Sequence, residues 1–395
     1  MLSSLYFGLI LAPAGLGAAA ATVQKGLGPE WVGCREVLQR RNPYRAEASR
    51  EIEQQMFGPA PVGGADQHRF AYPVFFVFLF FPLALLPFVI AQRLALLTSI
   101  VLLVLSVRWW WHDGRAKDGV LLVITLLFAS YPTVVALQLR QPTLLIAAVL
   151  AGVFCCARTH RLHLAGVLAA LSTAKPQLAI GVLLPLLLWS MAEWRRRKAF
   201  LLAFGATEAA LLVGSELLIP GWFGYWLDTI RAYAHYAGAS PLVLELLPRR
   251  FYFASVALLA GSAIFVSYRF HQTDLLFAVS YSVTAFQLIF PFQIYNEILL
   301  LVPTIWIVKN AETLDACGQL QSLVKACAWI LLASEWISQA GLSIADLLRP
   351  GSLRDLWTVP LVAAWLYPWT AFLTLALVVF SRWKATPHPI SGSDQ

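Results

Sequence analysis

Residues 72–91 read Tyr72-Pro-Val-Phe-Phe-Val-Phe-Leu-Phe-Phe-Pro-Leu-Ala-Leu-Leu-Pro-Phe-Val-Ile-Ala91, without one charged side chain. An apolar run of about 18–20 residues is long enough to cross a bilayer core as a helix. A helix also satisfies its own backbone hydrogen bonds, which lipid cannot do. Outward from this stretch, further apolar runs fall near 3–22, 94–111, 119–137, 142–157, 162–173, 177–191, 199–219, 251–269, 273–290, 295–308, 324–343 and 358–381. They predict an all-α, polytopic transmembrane bundle of about 11–13 helices, some half-length or re-entrant. Composition agrees: 59% of residues are hydrophobic and 13% charged, where soluble domains hold about 45–50% and about 25%. The first run ends Ala18-Ala-Ala-Ala21 like a signal peptide, but lacks a basic start, so it is read as a retained helix.

Charge sets the expected orientation. The net charge is +8, as cytoplasmic Lys/Arg and attraction to anionic lipid would produce. No basic tract with interleaved aromatics stands outside the connectors, so a nucleic-acid partner is not expected. The short basic connectors Arg158–His163, Trp194–Lys198, Tyr268–His271 and Arg382–Lys384 read as cytoplasmic. Lys175-Pro176, Gly221–Arg250 and Phe292–Asn296 then face outward. Strict alternation from an outer loop 23–71 would also put Arg108–Asp118 outside, against its Arg108, Arg115 and Lys117. Either a pair of runs between 72 and 157 is re-entrant, or charge misleads there. Fifteen tryptophans and twelve tyrosines suit interfacial belts, with Trp109–Trp111, Trp222, Trp226, Trp357 and Trp369 near the ends of runs. Five cysteines make no disulfide framework, and no Cys/His spacing resembles a zinc site.

The polar exception is the loop 23–71. Glu30–Arg40 and Ala46–Phe57 are helix-compatible, separated by Asn42-Pro43. In the second, Ile52, Met56 and Phe57 are expected toward the membrane, with Glu47, Arg50, Glu51 and Glu53 toward water.

The order of motifs carries a resemblance. Trp31-Val-Gly-Cys-Arg-Glu-Val-Leu and Asn42-Pro43-Tyr44 precede Arg69-Phe-Ala-Tyr72-Pro73. Then follow Ser130-Tyr-Pro132, Arg140-Gln141, Ala165-Gly166, Lys175-Pro176-Gln177 and Tyr295-Asn296-Glu297. Over roughly residues 1–305 this resembles the GT-C superfamily, and specifically glycosyltransferase family 87, formerly domain of unknown function 2029. The resemblance implies an integral-membrane hexosyltransferase, mannosyltransferase-like. It would move a sugar, mannose or a related one, from a polyprenyl-phosphate donor to a glycolipid or polysaccharide hydroxyl on the extracytoplasmic face. It implies no metal and no cofactor. It also implies a bacterial inner (plasma) membrane protein, with residues 1–305 as the catalytic module and 306–395 as C-terminal helices and tail. The implied catalytic acid is an aspartate shortly before the loop Trp. Here Val23–Pro29 holds no acid, and Gly26 stands about where it should be. Either Glu30 takes that role, or Asp66 reaches in, or the chain no longer catalyses this reaction.

Such a transfer needs a base for the acceptor hydroxyl and positive charge or donors for the departing phosphate. Glu30 and Asp66 are the candidate bases; a solvated helix-start carboxylate and a solvated loop residue are the bland alternatives. His68, Arg69 and Tyr72 lie where the loop re-enters the membrane, and Arg suits phosphate, although snorkelling to headgroups would place Arg69 equally. Tyr44 would stack on a sugar or pack the loop. Arg40, Arg41 and Arg45 would mostly pair with Glu36, Glu47 or lipid. Lys175 is costly unpaired in an apolar hairpin, so it would bind donor phosphate or cap carbonyls freed by Pro176. Gln141 and Asn296 would line the same cavity, and Glu297 would border it. Glu335 reads as pairing within the bundle and His235 as part of an interfacial stretch. A transporter or flippase for lipid-linked sugar would show two related halves; one polar loop without a second copy favours the enzyme. A non-catalytic glycan-binding relative stays open through the missing aspartate.

Overall fold

The computed structural model describes residues 26–57, 68–111, 119–121, 123–124, 127, 130–236, 241–291, 293–311, 321–348 and 358–385. The expected first helix and Asp66 lie outside them, as do the side chains of Phe57, His235 and Glu335. All named elements are helical, and the chain is a membrane helical protein.

The loop folds as α1 (Gly28–Leu38) and α2 (Ala46–Phe57). Between them the Asn42 side chain accepts the Tyr44 N–H at 2.9 Å, a turn that asparagine favours. The expected pairing of Arg41 and Arg45 forms, at 2.5 Å and 3.5 Å from the Glu36 carboxylate; Arg50 also lies 3.3 Å from Glu47, a pair the sequence did not suggest. The expectation for the apolar face of α2 is corrected. Ile52 and Met56 are buried rather than turned to lipid. Gly28 leaves room for this, since a Cβ there would fall 2.7 Å from the Met56 side chain.

The stretch 72–111 holds one helix long and apolar enough to cross a membrane, preceded by a shorter apolar one. A 3₁₀ turn (Val74–Phe76) leads into α3 (Val77–Ala84), which stops before Pro87, and α4 (Phe88–Trp111) continues. Pro87 has no N–H to donate and disfavours helix at Leu86. At the far end of α4, the Trp111 carbonyl accepts the Lys309 ammonium at 2.8 Å.

A second break follows. α5 (Tyr131–Gln138) and α6 (Thr143–Arg158) meet at 118°, a bent pair of the kind expected between 72 and 157. α7 (Leu162–Ser172) and α8 (Pro176–Ala192) form a hairpin whose tip ends in Lys175. α9 (Trp194–Leu218) returns beside α7, and a Cβ on Gly166 would stand 2.4 Å from the Phe200 carbonyl oxygen. Glycine there permits the backbone approach that membrane helices use in place of a hydrophobic driving force. The chain then passes through α10 (Trp222–Tyr236), α11 (Leu242–Leu246), α12 (Tyr252–Phe270) and α13 (Leu275–Ile289). A 3₁₀ segment (Ile294–Leu300) precedes α14 (Leu301–Lys309), α15 (Gln321–Leu348) and α16 (Thr358–Ala385).

By length and composition α4, α9 and Arg249–Phe270 can each cross a membrane, and the bent α5–α6 pair makes up to a fourth. Leu97, Val213 and Leu258 are exposed on these helices, as lipid-facing positions should be. Three tryptophans placed in the belts are instead interior: Trp110, Trp111 and Trp222 are buried, Trp110 lying 4.8 Å from Phe154. At the basic end, Asp274 accepts from Trp306 Nε1 at 3.1 Å and from Arg382 at 3.4 Å. With the Thr304–Tyr367 hydroxyl contact at 2.8 Å, these bonds seat the last helix on the earlier ones.

Candidate functional site

The end opposite Asp274 gathers the polar residues. α1 docks there by its indole: Trp31 Nε1 donates to the Leu86 carbonyl at 3.0 Å. Arg35 lies 4.5 Å from the Trp31 ring and reaches the Ala84 carbonyl at 3.4 Å. The break before Pro87 thus supplies acceptors that an uninterrupted helix would have used. On the other side of α1, Gly26 touches the α5–α6 bend, where a Cβ would stand 2.4 Å from the Leu139 carbonyl oxygen. A carboxylate cannot occupy that position without moving backbone.

Glu30, in the first turn of α1, therefore points into the interior and is 3% exposed. Among the described residues its Oε2 has no hydrogen-bond partner. Burial pushes its carboxyl up to about 7, against the lowering pull of its own backbone N–H, the Lys175 charge and a side-chain hydrogen bond with Tyr72. Burial that disfavours the charged form is the usual way to bring a carboxylic acid into the neutral range.

Lys175 comes from the α7–α8 tip. Pro176 bars helical backbone at the residue before it, and Lys175 sits extended at φ −133°, ψ 78° as the N-cap of α8. Its ammonium donates to the Thr143 hydroxyl and lies 4.8 Å from the centre of the Tyr295 ring. Thr143 donates onward to Asn296 Oδ1 at 3.4 Å, and the Asn296 carbonyl accepts from Gln287 at 2.9 Å. Glu297 is buried beside Asn296. The helices α1, α6 and α8 all begin here, with Leu27, Pro142 and Lys175 as N-caps and no side-chain cap on any of them. Such ends carry partial positive charge.

The segment bearing Tyr72 is fixed from several directions. Tyr44 donates to the Tyr72 carbonyl at 2.8 Å, and Trp226 Nε1 donates to the Ala71 carbonyl at 3.1 Å. Tyr72 stacks on Phe76 at 4.4 Å. Phe70 fills the space left by Gly33, whose Cβ would collide with the ring at 2.1 Å.

Glu30, Tyr72, Lys175 and Asn296 are thus brought together. Tyr44 sits behind them with its hydroxyl engaged by backbone. His68 and Arg69 are half-buried on the same segment as Tyr72. Gln141 lies at the bend, where its N–H bonds the Ala136 carbonyl at 2.9 Å; its near neighbour Thr143 is the residue that meets Lys175. Sequence reading missed Thr143 and treated Tyr295 only as part of a motif. The signal for Thr143 was a hydroxyl opening an apolar helix directly after Gln141-Pro142. Among the described residues no three His, Cys, Asp or Glu side chains group as metal ligands would.

The sequence profile of glycosyltransferase family 87 matches residues 70–291, more than half of the chain. No curated protein and no solved structure matches.

Proposed function

The chain belongs to glycosyltransferase family 87, and we propose that it transfers mannose from a polyprenyl-phosphate donor to a glycolipid or polysaccharide hydroxyl on the outer face of a bacterial plasma membrane. Glu30 is the base in this reading. Its Oε2 takes the proton of the acceptor hydroxyl as the acceptor oxygen bonds the anomeric carbon. The bond from that carbon to the phosphate oxygen breaks, and its electron pair leaves with the polyprenyl phosphate. Lys175 and the uncapped starts of α6 and α8 hold the growing negative charge. Asn296 and Thr143 keep Lys175 in place, and Tyr72 keeps the carboxyl of Glu30 oriented. Arg69 and His68 meet the phosphate where the loop enters the membrane.

The observation that carries this reading is the buried Glu30 carboxyl, one oxygen unpartnered among the described residues, under the charge of Lys175. A base needs a free lone pair and a pKa near the working pH, and Glu30 has both. The test is transfer of labelled mannose from polyprenyl-phosphate-mannose to a panel of lipid and glycan acceptors by purified protein in nanodiscs. Wild type, Glu30→Gln and Asp66→Asn are compared. Loss in Glu30→Gln alone supports the assignment, and loss in Asp66→Asn alone moves the base to Asp66. A wild type that binds donor without transferring or hydrolysing it sinks the reading in favour of a carrier or a non-catalytic binder.

A further inference from the structure

Glu208 is an acid placed fifteen residues into α9, a helix apolar enough to cross the membrane. Ionisable groups there are costly and tend to have a function and a partner. Its partner is Thr173, in the α7–α8 tip two residues before Lys175: the Thr173 hydroxyl lies 3.0 Å and 3.3 Å from the two Glu208 oxygens. The same hydroxyl lies 2.6 Å from the Ala170 carbonyl oxygen. A hydroxyl has one proton and two lone pairs. The Ala170 carbonyl and the Glu208 carboxyl both face that one proton, so Thr173 is the donor and Glu208 an acceptor. α7 has His163 as its one ionisable side chain, at its other end, and α8 has none. The electrostatic partner of Lys175 is Glu30, so Glu208 is not its counter-ion.

We infer that Glu208 is a positioning residue: within the bilayer its carboxyl accepts the Thr173 hydroxyl and fixes the hairpin tip from which Lys175 reaches the candidate site. This rests on the reading of Lys175 as the donor-phosphate ligand. Glutamine keeps an acceptor oxygen at 208 without the charge, alanine removes it, and valine at 173 removes the donor while keeping the shape.

The experiment compares full-length wild type, Glu208→Gln, Glu208→Ala and Thr173→Val in nanodiscs. It measures acylation of Lys175 relative to Lys309 by peptide mass spectrometry, and KM for polyprenyl-phosphate-mannose. Glu208→Ala and Thr173→Val are expected to raise relative Lys175 acylation and donor KM, each by about tenfold, as a small displacement of a binding group does. Glu208→Gln should match wild type in both. The inference fails if Glu208→Gln behaves like Glu208→Ala, since the charge would then be what matters. It also fails if none of the variants alters Lys175 acylation, whatever happens to unfolding temperature. Thr173→Val tests the same bond should Glu208→Ala not fold. Acylation needs no substrate, so the expected pattern in a protein without transfer would overturn the transferase reading and leave this one standing.

Discussion

The ammonium of Lys175 donates to the hydroxyl of Thr143, thirty-two residues earlier in the chain. One residue caps α8 and the other opens α6, so a single bond ties two helix starts together beneath α1. Glu30 comes from a third helix start. The arrangement needs three chain breaks, at Pro142, Pro176 and the Leu27-Gly28-Pro29 entry to α1, each of which stops a helix from running through the site.

Removing the Thr143 hydroxyl leaves Lys175 buried with less compensation. A hydrogen bond to a charged group is worth about 1.5–3 kcal/mol. Thr143→Val is therefore expected to lower kcat/KM for the donor by about 10- to 100-fold, and Thr143→Ser to keep most of it. Lys175→Met should lose more than either. Steady-state kinetics on the three variants checks the order; a Thr143→Val enzyme equal to wild type would remove Thr143 from the site.

The pH dependence follows from Glu30. Its carboxyl is raised from the usual 4.5 to about 7 by burial, and a base works ionised. Transfer should rise with pH through about 7, and Glu30→Gln should lose about 10²-fold or more together with that rise. Stability runs the other way. A raised acid pKa gives stability that is full below about 4.5 and is lost as pH rises through about 7. Thermal unfolding of wild type should weaken across that window, and Glu30→Gln should flatten the trend. A wild-type rate profile that is level between pH 5.5 and 8.5 would count against Glu30 as the base.

Gly26 stands where the family resemblance implies an acid, yet its neighbour is the Leu139 backbone. Gly26→Asp should not add a base. It should force apart α1 and the α5–α6 bend, at a cost of about 1–3 kcal/mol by the general behaviour of overpacked sites. A lowered unfolding temperature with reduced transfer is the expected result. Full stability with faster transfer would show that the bend yields and that the position remains usable.

Much of this was legible in the sequence because its cues were local. The bounds of α2, α6 and α7 follow from where apolar or amphipathic stretches meet Pro, Arg or polar residues. Lys175 stood out as a cation in apolar surroundings that needs a partner, and Asn296 as part of a motif. The breaks were harder to read. Pro82 and Pro87 interrupt 72–111, but sequence alone does not show that only the helix after Pro87 is long enough to cross a membrane. Thr143 and Glu208 were missed for a related reason. Their roles are fixed by residues tens of positions away, and neither type is unusual enough in a helix to announce a partner. Ile52 and Met56 looked lipid-facing because an amphipathic pattern does not say which apolar surface covers it.

The opposite end of the molecule gives a prediction free of the chemistry. Asp274 caps α13 by accepting the Phe277 N–H at 3.0 Å, and also receives Trp306 and Arg382. The Arg382 guanidinium lies 4.9 Å from the Phe277 ring centre, 5.5 Å from Trp306 and 5.7 Å from Phe270. Loss of an N-cap costs about 0.5–2 kcal/mol, and a half-buried cation over aromatic rings adds about 1 kcal/mol. Asp274→Ala should thus destabilise by about 2–3 kcal/mol, since it removes the cap and the carboxylate together. Arg382→Gln should cost less, about 1 kcal/mol, because the cap survives. Both should leave the donor KM unchanged at temperatures where the protein stays folded. Unfolding temperatures in nanodiscs give the ranking, and an Arg382→Gln protein less stable than Asp274→Ala would mean that the rings, rather than the cap, hold this end together.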